Sequence, residues 1–272
     1  MTHRPDRRRF LAAALAGAAA PAALGQEARG LQPGERAVDP ADLPLDRAGV
    51  WTLHFRYKPI RIMTVDGFDG RGNPTKQVAW YMWYQVYNRS GEPVYFTPEF
   101  ELVTRNPPTR NLDEPQPYIF EQVKRFEDRT ITPEDPNGRQ NLFSSIQISR
   151  RPIPPSLPDA FPRLISGLAV WANMEEGTRR SPQITVYVTG LSNGVTTEQS
   201  RPIGQNGQVI TIIKRKTLKI DFFRPTDDNR PEATDIRPDT TNGPAETWMY
   251  RGSAPAPGSG GPPVAPKKEP DR

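Results

Sequence analysis

From residue 51 to residue 58, Trp51, Leu53, Phe55 and Tyr57 alternate with Thr52, His54, Arg56 and Lys58. A period of two places one set on each face of a strand, so this segment reads as β-structure with a buried face and a wet one. Residues 60–65 continue that strand or begin its partner, and 66–74, rich in Gly and Asp and ending in Asn73-Pro74, read as a turn. Residues 77–88 are apolar in both phases. Val78, Trp80, Met82, Tyr84 and Val86 form one face, and Ala79, Tyr81, Trp83 and Tyr87 the other, interrupted only by Gln85. A strand without a polar face is a central one, covered on both sides. A turn over 88–92 leads into a strand over 94–104, with Val94, Phe96, Phe100 and Leu102 inward and Thr97, Glu99 and Glu101 outward. Pro98 lacks an N–H, which suits an edge or a bulge.

The period changes once. Ile119, Val123 and Phe126 recur at i, i+4 and i+7, which predicts a helix over 113–128. Asp113 and Gln116 fit a capping box there, and Pro115 sits early, where helices accept it. Strands resume over 141–149, 163–171, 183–190 and 247–251, with one long strand over 208–224 that has a charged middle. Five prolines in 151–162 predict an extended, unpaired segment. About seven or eight strands, one helix and no internal repeat predict an all-β fold, an antiparallel sandwich. The stretch Val86-Tyr87-Asn88-Arg89-Ser90-Gly91, within 78–104, resembles a strand-to-turn pattern of immunoglobulin-like domains in exported bacterial proteins. That resemblance implies an immunoglobulin-like sandwich with the helix inserted, and no activity. The long sequence after the third strand departs from a compact immunoglobulin domain.

Composition narrows the chemistry. The 272 residues include 32 Pro, about 12%, which excludes a helical bundle because Pro is costly inside helices. With no Cys there are no disulfides, thiolate nucleophiles or Cys-bound metals, and two His, His3 and His54, leave little for a His-based triad. Residues 26–49 are polar with three Pro and read as a linker; 252–272, built of Pro, Gly, Ala and Ser, read as a disordered tail. The sandwich domain is then 50–251. At the N-terminus, Arg7-Arg8-Arg9-Phe10-Leu11 and the weakly apolar run behind it resemble a twin-arginine (Tat) signal peptide over 1–25. The motif residues are Arg7, Arg8, Phe10 and Leu11. The run 11–24 is shorter than the ~20 residues a span needs, and Ala23-Leu24-Gly25 offers a cleavage site. An ordinary Sec signal is the alternative. Either way the mature chain is expected to be exported, periplasmic or extracellular, without a transmembrane helix. Residues 1–25 hold four Arg and one Asp, so the net charge falls from +5 to +2 on cleavage. No basic block remains that would suit nucleic acid.

Candidate chemistry is sparse. His54 lies on the polar face of its strand and reads as a surface residue. The 66–73 loop fails as a calcium loop, since registers begun at Asp66 or Asp69 put Phe68 or Pro74 where a ligand or Gly is required. Acid pairs at Asp113-Glu114, Glu134-Asp135, Glu175-Glu176 and Asp227-Asp228 read as turns or caps unless two carboxylates converge across a cleft. Nucleotide-binding Gly-rich motifs are absent from the sequence. Tyr81, Trp83 and Tyr87 would bind a sugar ring or an apolar partner if exposed; we expect the helix to cover them. The reading is an exported, non-enzymatic module without cofactor or metal, its partner an envelope protein or glycan. The alternatives are a hydrolase acting on polysaccharide and a carbohydrate-binding module.

Overall fold

The computed structural model describes residues 31, 33–69, 71–172, 174–199, 211–225 and 235–252. The export motif at Arg7, Arg8, Phe10 and Leu11, and all but the first residue of the expected tail, lie outside them. In chain order the elements are β1 Arg36–Val38, β2 His54–Tyr57, β3 Arg61–Phe68, β4 Pro74–Tyr87, β5 Val94–Tyr95, β6 Glu99–Arg105 and β7 Pro108–Leu112. Then come α1 Pro117–Glu127, β8 Phe143–Ser144, α2 Ser145–Ile148, β9 Pro152–Ile153, β10 Ile165–Ala172 and α3 Glu176–Arg180. The last five strands are β11 Gln183–Thr189, β12 Val195–Gln199, β13 Thr211–Phe223, β14 Arg237–Pro238 and β15 Glu246–Gly252.

The fold is an all-β antiparallel sandwich. One sheet runs β1-β2-β4-β10-β8 with β3 also on β4, and the other runs β12-β13-β11-β6-β7 with β14 and β15 also on β13. Strand β4 organises the first sheet. Along one edge it pairs with β3 over Pro74–Tyr81 and with β2 over Tyr84–Tyr87; along the other it pairs with β10 over Ala79–Val86. Both faces of β4 are covered, as its unbroken apolar pattern requires. Trp80, Met82, Tyr84 and Val86 join Phe55 and Tyr57 against Phe100, Val186 and Phe222 of the second sheet. Ring contacts cross that interface, with centroids of Tyr84 and Phe100 at 4.7 Å and of Tyr57 and Phe222 at 6.0 Å. On the opposite face Tyr81, Trp83, Leu168 and Val170 form a second core beneath Ile119, Phe120 and Val123 of α1. The molecule is thus layered sheet, sheet, helix on either side of β4.

Several elements differ from the sequence pattern. Helix α1 starts at Pro117, with Gln116 as an N-cap that makes no side-chain bond. Asp113 is not its cap, because that carboxylate is bonded elsewhere. The helix ends where expected, and the Asp128 N–H donates to the Lys124 carbonyl. Its buried stripe is Ile119, Phe120 and Val123, while Phe126 is exposed. The strand expected over 94–104 breaks around Pro98 into β5 and β6, and only Phe143–Ser144 of 141–149 is strand. Ser144 and Gln147 form a capping box there and turn the chain into α2. In 151–162, β9 pairs with β5, and Pro155 bridges Asn88. Within 26–49, β1 joins the first sheet, and the Asp46 carboxylate accepts from Lys216 Nζ at 2.5 Å and from the Tyr250 hydroxyl at 2.8 Å. The described residues therefore hold fifteen strands and three helices, against the seven or eight strands and one helix expected. The excess is mostly two- and three-residue pairings, too short to carry a period.

Glu101, an outward position by its alternation, is buried. It does lie on the outer face, where Arg110 Nε donates to it at 2.6 Å and Arg251 Nη1 at 2.7 Å, while the Arg251 guanidinium stacks 3.8 Å from the Tyr187 ring centre. Burial raises the Glu101 pKa, but the bonds from Arg251 and Arg110 outweigh it and hold the carboxyl below its usual range. Trp80 and Trp83 test the two cores separately. Alanine at either position should cost about 3–5 kcal/mol in urea unfolding. A loss under about 1 kcal/mol at Trp83 would mean that α1 does not seal that face.

Candidate functional site

The aromatic face is closed. Tyr81, Trp83 and Tyr87 are each at most 2% exposed. The Tyr81 hydroxyl donates to Glu127 Oε1 at 2.9 Å, and Trp83 Nε1 donates to Gln140 Oε1 at 2.8 Å. Lys58 Nζ lies 4.6 Å from the Trp83 ring centre. Tyr87 is covered differently, stacked 4.5 Å from the His54 ring with Arg56 and Arg89 beside it. The condition for an open sugar platform is not met: α1 covers Tyr81 and Trp83 as expected, but Tyr87 lies outside that core and is covered by His54 and the arginines instead.

Of the other expected sites, Asp227-Asp228 lies outside the described residues, and the 66–73 loop, Asp135 and His54 have local partners. Asp69 accepts from the N–H groups of Arg71 and Asn73, and from the Asn73 side chain, which caps the β3–β4 turn; the turn is shorter than the 66–74 expected, because Asp66, Gly67 and Phe68 pair with Lys76, Thr75 and Pro74 as strand. Asp135 likewise accepts from the N–H groups of Asn137 and Gly138. His54 Nδ1 lies 3.2 Å from Asp39 Oδ1.

What the fold does form is a cleft of about 760 Å³ at one end of the second sheet. Four segments meet there: the break between β5 and β6, the residues after β7, the start of α2, and the link from β11 to β12. The meeting is close. Gly190, at φ +94°, would place a Cβ 2.1 Å from the Thr97 carbonyl oxygen, so only glycine lets these segments approach. Trp51 is pinned at the rim, its N–H donating to Asn193 Oδ1 at 2.8 Å and its carbonyl accepting from Ser192 Oγ at 2.6 Å.

Asp113 is the chemically distinctive member. Its N–H donates to the Phe100 carbonyl at 2.9 Å, but the Phe100 N–H goes to the Asp113 carboxylate at 3.4 Å. The side chain thus ends the β6–β7 ladder, and the Ser145 hydroxyl donates to its other oxygen. Burial pushes the Asp113 carboxyl up to about 6, against the hydrogen bonds from Ser145 and Phe100 and with help from the negative charge of Glu99. The buried Tyr84 phenol feels the same carboxylate; burial first, then Asp113, raises its pKa.

Glu99 and Asp113 both line the cleft, but they do not face each other across it. Asp113 is the cross-strand partner of Phe100, and consecutive strand residues point to opposite faces, so Glu99 projects from the other side of the sheet edge. An acid–base pair flanking a bond needs two carboxylates converging on one space. Here the two acids project from opposite faces of the sheet edge and do not converge on one space. Ser145 has the carboxyl of Asp113 for a partner and no histidine beside it among its described bonds.

Comparison with protein families, with curated proteins and with solved structures finds no match for this chain.

Of this site, the sequence flags only Asp113-Glu114, as one acid pair among four. Ser145 sits in a segment read as strand, and Tyr95 and Leu112 carry no signal, because their exposure depends on where distant segments end.

The Asp113 pKa predicts a pH dependence. The folded value, about 6, exceeds the ordinary 3.8, so the native state holds the extra proton between those values. The resulting stabilisation is complete below about pH 4 and is lost as pH rises through 6. Asp113→Asn keeps the acceptor oxygen without the charge. It should match the wild type near pH 4 and exceed it at pH 7.5 by up to about 3 kcal/mol in urea unfolding. A difference that does not vary with pH would show that Asp113 is not held protonated.

Proposed function

We propose that the chain is an exported, non-enzymatic binding module of the cell envelope, an immunoglobulin-like sandwich whose cleft holds an envelope protein or glycan. One observation carries this reading. Large apolar side chains remain open to solvent at the cleft, with Tyr95 60%, Ile146 54% and Leu112 47% exposed, beside Glu99 and Glu114. Clustered apolar surface next to acids that form no ion pair among the described residues is the composition of a recognition site. Export is supported by the Arg7-Arg8-Arg9-Phe10-Leu11 pattern. No helix among the described residues is long and apolar enough to cross a membrane.

A polysaccharide hydrolase is the second reading, favoured by the raised pKa of Asp113. The placement of Glu99 and Asp113 on opposite faces of the sheet edge weighs against it. Glycan arrays and envelope extracts, probed with the mature protein and its Asp113→Asn and Tyr95→Ala variants, separate the two. Binding should survive Asp113→Asn and fall at least about tenfold in Tyr95→Ala, the usual loss for truncating a central aromatic contact. Ligand turnover abolished by Asp113→Asn would favour the hydrolase, and a ligand indifferent to Tyr95→Ala would place binding elsewhere. Replacing Arg7 and Arg8 by Lys should block export, and unimpaired export of that double variant would contradict the twin-arginine route.

A further inference from the structure

We infer that the cleft takes a second copy of this chain, whose loop 156–163 inserts Leu157 and Phe161 among the apolar residues of the cleft, each copy filling the other's in a two-fold dimer. The inference rests on reading the cleft as a binding site. It names the protein partner, another copy that presents an apolar loop tip with basic residues at its base.

The loop is held at its base and open at its tip. Asn88, fully buried, donates from its side chain to the Ile153 carbonyl at 2.9 Å, and its own carbonyl accepts from the Ser156 N–H at 2.7 Å. The Ser156 hydroxyl, also buried, accepts from the Arg163 N–H at 2.9 Å and ties the two ends of the loop together. Between those ends Leu157, Pro158, Asp159, Ala160 and Phe161 are all exposed. Leu157 at 68% and Phe161 at 70% are the most exposed large apolar side chains among the described residues. Leaving both in water is unfavourable, and covering them is a driving force for association. Pro158 and Pro162 fix φ at two positions of the loop, so little backbone freedom is lost when the tip docks.

Cleft and loop are opposite in charge as well as in shape. Around the cleft, Glu99 and Glu114 form no ion pair among the described residues, and Arg215 is the one base of its lining. The loop reverses those signs. Asp159 stands at its tip, and Arg163 closes its base. Arg89 donates to the Pro158 carbonyl at 3.3 Å, and Arg151 meets Leu164 around a neighbouring hollow. Arg151 and Arg163 are exposed and form no ion pair among the described residues. Two loops, or two clefts, placed together would set like charges against each other, so charge favours loop against cleft.

Placement and area agree as well. Tyr95 of the cleft pairs with Pro152 across β5–β9, so the loop rises beside the cleft of its own chain and outside it. A two-fold axis at that end of the sandwich puts each loop in the other copy's cleft and closes the assembly at two. The cleft, at about 760 Å³, is larger than a leucine and a phenylalanine side chain together. Leu157, Phe161, Tyr95, Ile146 and Leu112 are all about half exposed or more, roughly 100 Å² of apolar surface each. Two copies together cover roughly 1,000 Å², the size at which specific interfaces begin.

Sedimentation velocity of the mature protein over a concentration series should show a monomer–dimer equilibrium that weakens with added salt. Two double variants separate the halves of the contact. Leu157→Ser with Phe161→Ser removes the loop tip, and Tyr95→Ala with Ile146→Ala removes apolar wall from the cleft. All four side chains are exposed, so both variants keep the fold, which urea unfolding checks. Each variant alone should associate at least about tenfold more weakly than the wild type. Mixed, the two should associate again, because the intact loop of one meets the intact cleft of the other. A mixture as weak as its components would overturn the proposal. So would a dimer that survives loss of the loop tip, which assigns the contact to another surface, or growth beyond two copies, which assigns it to an open chain. A monomeric wild type that sediments with phosphatidylglycerol vesicles through Leu157 and Phe161 would also overturn it, giving the loop to an anionic lipid surface. If self-association fails while an envelope ligand still binds through Tyr95, the binding reading stands and only the second copy falls.

Discussion

Strand β4 has no wet face, and the architecture follows from that. One face, with Trp80, Met82, Tyr84 and Val86, requires a second sheet; the other, with Tyr81 and Trp83, requires a helix. A fully buried aromatic side chain removes 150–250 Å² from water, roughly 4–6 kcal/mol each as an upper bound. No single covering layer could collect that on both sides. The second sheet and α1 are therefore not independent additions, because each completes a core that the same fourteen residues begin. The polar atoms on the helix side are met where they emerge, as when Tyr81 reaches Glu127 and Trp83 reaches Gln140.

The cleft is a consequence of where this packing stops. On the inner face of β4 the Tyr84 ring touches Phe100, and on the β7 side Phe100 is met by a residue just beyond the β6–β7 ladder. That residue is Asp113, which gives its side chain rather than its carbonyl to the ladder. A carboxyl placed at the edge of an apolar core is costly when ionised, and its raised pKa is the measure of that cost. The chain then turns away to build α1 on the opposite face, leaving Tyr95, Leu112 and Ile146 around a space that neither core fills.

Local periodicity was sufficient for the faces. The inward phases of β2, β4 and β11, the double burial of β4, and the end of α1 at Asp128 can all be read from residue spacing, but the face of β2 expected to be wet is covered, with Arg56 and Lys58 buried. It was insufficient wherever a residue's environment is set by a distant partner. Glu101 alternates as an outward residue, and it does point outward, but Arg251, 150 positions later, buries it. Asp113 looks like a helix cap because Gln116 follows at the right spacing, yet Phe100 and Ser145 claim its carboxylate first. Ser144 and Gln147 do form a capping box, hidden in a stretch whose apolar residues suggest a strand. The cleft draws on Trp51, Tyr95, Asp113, Ser145, Asn193 and Arg215, which no sequence window could group.

Hydrogen exchange in increasing denaturant tests the central role of β4 most directly. If both cores depend on it, the amides of Met82 and Trp83 should exchange only through global unfolding, with the free energy measured by urea. The amides of Val123 in α1 and Val186 in β11 should exchange no more slowly than these. Exchange of Met82 and Trp83 through a lower-energy opening, while Val186 stays protected, would show that the second sheet stands without β4 and would contradict the account.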